Sequence, residues 1–308
     1  MEYLWIVSSI AAAFFQSLRL AALKQLNQTL SVMVTSYVRV LFGLPFLLLH
    51  LCGVLLATGR ELPATNARFL IFSCAAAIGQ FVGTAVLIRL FQIGNFAVGT
   101  MLQKTDVLIT AAIGSLLFSE VISGGGWVAI LVTVAGVLLI STGRRPPPQA
   151  APAAKPSLAE LLLGRATRWG LLTGLLFGLS YLFLREAILA LDPASGPLVR
   201  AAFAGMAMTA WSFLILGPWL LVFERPGLKR IAGAPGLCTF LGATSALGTI
   251  FWFIAAALAN VAYVAAVAQV QIAFTLAISW FYFGERVSRL ELAGIGVILA
   301  GLLLFRIA

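Results

Sequence analysis

Two ionisable side chains, Lys104 and Asp106, stand near the middle of an apolar run, NFAVGTMLQKTDVLITAAIGSLLFSE, that extends from Asn95 to Glu120. The run is long enough to cross a bilayer core of about 30 Å, and a helical rise of about 1.5 Å per residue brings both groups close to mid-membrane. Charged groups at that depth cost at least about 2.5–3.5 kcal/mol each, so they face a partner or a cavity, where they bind a solute or relay a proton. Successive helix residues turn by about 100°, so Asp106, Thr110 and Gly114 share one stripe and Lys104 lies nearly opposite. Lys104 reaches the Asp106 side only if its stem bends round or the helix is locally broken. The competing reading of both residues is interhelical hydrogen bonding that holds a bundle together.

The same stretch returns 165 residues later as NVAYVAAVAQVQIAFTLAISWFYFGE, Asn260 to Glu285, with Asn95/Asn260, Thr110/Thr275, Phe118/Phe283 and Glu120/Glu285 in register. The match runs on through Ser123/Ser288, Gly136/Gly301 and Leu139/Leu304. An internal repeat of this kind organises the whole chain. In the second copy Gln269 and Gln271 occupy the places of Lys104 and Asp106, and Gln271 and Thr275 repeat the polar stripe. The candidate substrate-binding set is Lys104, Asp106, Thr110, Gln269, Gln271 and Thr275.

The elements that must carry these residues are apolar helices. Hydrophobic residues make up 61% of the 308 and charged ones 10%, a membrane composition. Ten runs of spanning character fall near 3–25, 31–57, 68–92, 95–118, 126–142, 168–190, 196–223, 233–258, 260–283 and 290–306. The expected fold is therefore an all-α membrane protein of ten transmembrane helices. The first segment opens on Glu2 rather than on basic residues and has its own counterpart later in the chain, so it is expected to be retained rather than cleaved. The single histidine, His50, excludes histidine-cluster metal chemistry, and no HExxH, Walker or paired acidic motif occurs. No cofactor is expected. Cys52, Cys74 and Cys238 lie in apolar runs and read as buried small hydrophobes. The net charge of +10 belongs to loops and reads as an orientation signal rather than a nucleic-acid footprint.

One linker is credible, Gly143 to Arg165, rich in Pro and Ala. It divides the chain into a first repeat, 1–142, and a second, 166–308. The first two helices also correspond, at a spacing of 161, through Leu18/Leu179, Lys24/Arg185, Arg39/Arg200 and Phe42/Phe203. Five helices per repeat is an odd number, so the second copy enters the membrane inverted, as in secondary transporters whose site lies at mid-membrane.

With an arginine early in the second helix of each half (Arg39, Arg200), Ser119-Glu120 and Gly284-Glu285 ending the fourth, and Gly136 and Gly301 in the fifth, the chain resembles ten-helix members of the drug/metabolite transporter superfamily, the group with two EamA domains. The resemblance covers nearly the whole chain and implies an integral, multi-pass protein of the bacterial inner membrane. That family often carries a proline in the middle of the fourth and ninth helices, where this chain has Lys104-Thr105-Asp106 and Gln269-Val270-Gln271.

Arg39, Glu186 and Tyr181 complete the candidate site: Arg39 for an anionic group, Glu186 as counter-ion for a cation from the other half, and Tyr181 as an aromatic wall. Tyr37, Phe183, Trp252 and Tyr263 join Tyr181 as candidates for lining a cavity, with plain packing as the alternative. Glu120 and Glu285 read as caps for the turns that follow them, and Lys24 and Arg185 as groups reaching lipid headgroups. The excess of cations (Arg19, Lys24, Arg39, Lys104, Arg185, Arg200 against Asp106 and Glu186) favours a small solute with a carboxylate or phosphate, amino acids above all. The expected function is a secondary transporter, an exporter or facilitator, with the lipid bilayer as partner and the proton as candidate coupling ion through Asp106. A flippase for an amphipathic lipid is the runner-up. An intramembrane enzyme lacks a nucleophile and base or a metal set, and a sensor lacks an output domain. Arginines and lysines crowd the linker's side of the membrane, while the termini's side carries Arg60, Arg68 and Arg306, so the termini are expected outside and the linker in the cytoplasm.

Overall fold

A computed structural model describes residues 3–93, 106–118, 120–143, 165–283 and 288–304, and among these residues every regular element is helical. In chain order they are α1 (Leu4–Leu26), α2 (Val32–Thr58), α3 (Ala67–Ile93), α4 (Asp106–Leu117), α5 (Gly124–Gly143), α6 (Arg165–Leu189), α7 (Gly196–Phe223), α8 (Arg225–Arg230), α9 (Pro235–Leu258), α10 (Val261–Val267), α11 (Gln271–Phe283) and α12 (Arg289–Leu304). Short 3₁₀ turns stand at Pro193–Ser195, Ile231–Gly233 and Ala268–Val270. Seven segments among the described residues are long and apolar enough to cross a membrane.

Local chemistry explains most of the boundaries. Ser31 accepts the Val34 N–H at 3.3 Å to open α2, and Gly59 closes that helix in the left-handed conformation with φ of 61°. Asn66 accepts the Phe69 N–H at 2.8 Å at the start of α3. At α12 a full capping box forms: the Ser288 hydroxyl accepts the Glu291 N–H at 3.2 Å, and the Glu291 carboxylate accepts the Ser288 N–H at 2.7 Å. Ser123 opens α5 by accepting the Gly126 N–H at 2.9 Å, but the third helical position there is glycine. The missing carboxylate is replaced from a distance by Tyr263, whose hydroxyl oxygen accepts the Ser123 N–H at 3.0 Å.

Where residues are described, the helices fall within a few residues of the expected apolar segments, with three departures. The segment expected at 260–283 is broken: α10 and α11 are separated by the 3₁₀ turn at Ala268–Val270. Of the segment expected at 95–118, residues 106–117 are helical, while 94–105, with Lys104, lie outside the described residues. A short helix, α8, occupies what reads as a loop, because Leu228 packs against a buried cluster that includes Leu30, Val34, Val38 and Ile231. One expectation about cysteine is also corrected. Cys238 is buried, whereas Cys74 is half-buried and Cys52 is exposed. A spanning helix is apolar on every face, so hydrophobicity does not say which side meets protein.

The described chain divides into two compact units, each drawing helices from both sides of the Gly143–Arg165 stretch. Unit 1 comprises Met1–Ile78, Phe183–Asn260 and Gln271–Gly284. Within it α1 packs on α9 and α11, and α2 packs on α7 and α9. Aromatic pairs reinforce these contacts, among them Phe69 on Phe203 at 5.3 Å and Phe15 on Phe251 at 5.8 Å. The Trp211 indole N–H donates to Ser73 Oγ at 3.1 Å.

Unit 2 comprises Gly79–Leu182, Val261–Val270 and Glu285–Ala308. Its tightest packing joins α5 to α12 through glycines. A Cβ on Gly136 would stand 2.8 Å from the Ile298 backbone nitrogen and 2.9 Å from the Gly294 oxygen, and one on Gly301 would stand 3.0 Å from the Thr133 nitrogen. Only hydrogen fits between these backbones, the small-residue packing that dispersion favours where lipid removes the hydrophobic drive. On the outer faces Leu56, Leu116 and Val121 are 85%, 82% and 85% exposed, as suits lipid contact.

Candidate functional site

In unit 2, Asp106 lies in α4 and is 4% exposed. Its carboxylate accepts the Val107 N–H at 2.8 Å. One turn on, the Thr110 hydroxyl donates back to the Asp106 carbonyl oxygen at 2.6 Å. Gly178 of α6 lies against this pair: a Cβ there would be 3.0 Å from Thr110 Oγ and 3.3 Å from the Asp106 oxygen.

Unit 1 repeats the arrangement. Gln271 is the first residue of α11, and the Thr275 hydroxyl donates to its carbonyl oxygen at 2.8 Å. Ser17 of α1 stands where Gly178 stands in unit 2 and donates to the same Gln271 oxygen at 3.1 Å and to Ala13 at 2.9 Å. Asp106 and Gln271, matched in sequence, thus each accept through the carbonyl oxygen the hydroxyl of a threonine one turn on. Gln271 opens α11 without a glycine or proline signal.

Gln269 lies in the 3₁₀ turn between α10 and α11 and is 4% exposed. Its amide nitrogen donates to the Ala265 carbonyl oxygen at 3.3 Å, while its Oε1 is buried without a hydrogen-bond partner. Arg39 and Arg200 are half-buried in α2 and α7, and Arg200 Nε is buried without a hydrogen-bond partner. Tyr181 is half-buried in α6, its ring 6.5 Å from that of Phe177.

Several charged groups have partners that no short-range pattern reveals. Glu186, 12% exposed in its side chain, pairs with Arg68 at 2.5 Å, and the Arg68 guanidinium also lies 5.8 Å over the Phe72 ring. The cation is indeed from the first half of the chain, but the pair occupies the start of α3, where Asn66 also donates to the Ala190 oxygen at 2.6 Å. Arg185 turns to protein rather than to headgroups, donating to the Ala256 and Ala259 carbonyl oxygens at the C-terminal end of α9 and, at 3.4 Å, to Asn260 Oδ1. That suits a cation at a helix C-terminus. Glu120 reaches α10 as well: its Oε1 accepts the Val261 N–H at 3.4 Å. Tyr263, a candidate wall of a cavity, accepts the Ser123 N–H. Tyr37 stacks on Phe213 at 5.5 Å, and Phe183 meets Phe72 in a tilted pair at 5.7 Å. Among the described residues no three His, Cys, Asp or Glu side chains are grouped to hold a metal ion.

Within each unit, polar groups therefore stand inside apolar segments: in unit 2 Asp106, Thr110 and the 3₁₀ turn that holds Gln269, and in unit 1 Gln271 and Thr275. Comparison with curated proteins finds no match. A solved structure titled "Crystal structure of protein" shares the fold, with a TM-score of 0.71 and 13% identity over 98% of this chain and 96% of that one. The profile of the EamA-like transporter family matches residues 3–142 and again 165–307. The chain belongs to the EamA-like transporter family and is an integral, multi-pass membrane protein that carries small molecules.

Proposed function

We propose that the chain is a secondary transporter, an exporter or facilitator, in which two inverted repeats of five helices, 1–142 and 166–308 joined by the 143–165 linker, alternate access to a solute at mid-membrane. The observation that carries this reading is the doubled arrangement of contacts at Asp106 and Gln271. Each has a threonine one turn on that bonds back to it, and each is met by the matching residue of a first repeat helix, Gly178 for Asp106 and Ser17 for Gln271. The contact crosses from one half of the chain to the other in both cases, as a twofold exchange of repeats requires. The α5–α12 contact obeys the same exchange: Gly136 meets Ile298, and Gly301 meets Thr133, the residue in register with Ile298. The half-buried Arg39 and Arg200, together with Lys104 of the sequence, favour an amino-acid-like or otherwise anionic solute. Asp106, Thr110, Gln269, Gln271, Thr275 and Tyr181 supply its remaining contacts. Glu186 would have to leave Arg68 to join them. Asp106, the acid of this set, is the candidate proton carrier, in the bacterial inner membrane with both termini outside.

Reconstituted protein tests this directly. Proteoliposomes should take up radiolabelled L-amino acid faster than empty vesicles, with saturation. Rapid scrambling of a fluorescent phospholipid without amino-acid uptake would replace the reading by a lipid flippase.

A further inference from the structure

The short helix α8 in unit 1 has two unlike sides. Gly227 and Leu228 face the protein: a Cβ on Gly227 would stand 2.8 Å from Val34 Cγ2, and Leu228 packs on the buried cluster of Leu26, Leu30, Val34 and Val38. Successive helix residues turn by about 100°, so Arg225, Pro226, Lys229 and Arg230 fan over the opposite side. All four are exposed. Three of them are cations, and no described residue forms an ion pair with any of the three. Glu224, the acid next to them in the chain, accepts the Ser31 hydroxyl, and its carbonyl oxygen accepts the Gly227 and Leu228 N–H groups.

The chain just before α8 is of the opposite character. Leu221, Val222 and Phe223 at the end of α7 are exposed apolar residues, and the Trp219 ring packs on that of Phe223 at 5.3 Å, the aromatic signature of a membrane–water boundary. We propose that this corner binds an anionic phospholipid, its phosphate headgroup on Arg225, Lys229 and Arg230 and its acyl chains along the last turns of α7. Both layers select the lipid. A free phosphate would use the cations but not the apolar strip, and a zwitterionic lipid brings its own ammonium group to a face that is wholly cationic. The site also occurs once. The corresponding connection of the first repeat, between α2 and α3, holds no helix and sets Arg60 beside Glu61. Since Ser31 at the start of α2 bonds Glu224 at the end of α7, the two connections lie at opposite ends of unit 1, and one end alone has the lipid preference.

The test uses the full chain in detergent, mixed with equimolar phosphatidylglycerol and phosphatidylcholine of identical acyl chains. Retained lipid is counted by native mass spectrometry, and melting temperatures are read on the same preparations. Wild-type protein should retain phosphatidylglycerol over phosphatidylcholine by at least about tenfold, and replacing all three cations (Arg225→Gln, Lys229→Gln, Arg230→Gln) should bring the ratio below about threefold. The melting temperature without lipid should not change, because the three side chains are exposed. A control that removes exposed cations elsewhere, Arg168→Gln with Arg289→Gln, should behave as wild type. Equal retention of the two lipids by wild-type protein overturns the proposal. So does a preference that survives the triple replacement, or one that the control loses as fully, which would leave only a general effect of net charge. Displacement of the retained lipid by excess inorganic phosphate would assign the corner to a soluble anion instead. Should the triple variant fail to fold, the three single replacements decide, and an unchanged ratio in all of them refutes the site.

Discussion

Replacing Tyr263 with phenylalanine removes one oxygen and leaves the shape of the side chain intact. The Ser123 N–H then loses the acceptor it meets at 3.0 Å, and Ser123 Oγ cannot serve because it already accepts the Gly126 N–H at 2.9 Å. Loss of one hydrogen bond at a half-buried amide is worth about 0.5–1.5 kcal/mol. The second repeat shows the alternative solution, with Glu291 at the corresponding third position of α12 and a valine, Val98, in register with Tyr263. Gly126→Glu alone should fail, because any Cβ at that position stands 2.7 Å from Tyr263 Cε1 and 2.8 Å from its Cζ. Overpacking of this kind costs about 1–3 kcal/mol. The double replacement, Gly126→Glu with Tyr263→Val, rebuilds a capping box and should be more stable than either single variant. Thermal unfolding of all four proteins in one detergent measures the cycle. If the two changes simply add, the phenol does not stand in for the capping carboxylate and the reasoning fails.

Asp106→Asn keeps the acceptor for the Val107 N–H and removes the titratable charge, so the protein should fold while any pH-dependent step of transport disappears, as uptake at pH 6 and pH 8 will show. Lys104→Met should weaken uptake of a carboxylate-bearing solute with little change in melting temperature. If Lys104 instead neutralises a buried acid, its loss should cost about 3–5 kcal/mol of stability, and the two outcomes separate when both quantities are read on one preparation. A cysteine at Gln149 in the linker should resist membrane-impermeant maleimide in intact cells. Labelling from outside would reverse the assigned orientation.

The apolar helices among the described residues were legible because hydropathy over about 20 residues needs no tertiary information. The break between α10 and α11 was not. Ala268-Gln269-Val270 contains no glycine or proline, and nothing local distinguishes it from helix, so Gln269 could be chosen only by its register with Lys104. Long-range partners were equally hidden. Arg68 with Glu186, Arg185 with the end of α9, and Tyr263 with Ser123 join residues far apart in the chain, and their types alone admit many other partners. Ser17 and Gly178 share a register position but not a residue type, so their places beside Gln271 and Asp106 emerged only from the packing.

The glycine-lined contact between α5 and α12 constrains how the protein can move. Side chains that interdigitate can exchange rotamers and let helices slide, but backbones separated by a hydrogen atom's width have nothing to rearrange. A shift of even one residue along that seam would drive Ile298 or Thr133 into the opposing main chain. The pair therefore behaves as a stator, and whatever opens and closes the pathway must be borne by other helices. A disulfide engineered across α5 and α12 should accordingly leave the transport rate intact, and a transporter arrested by it would have its moving parts where none are expected.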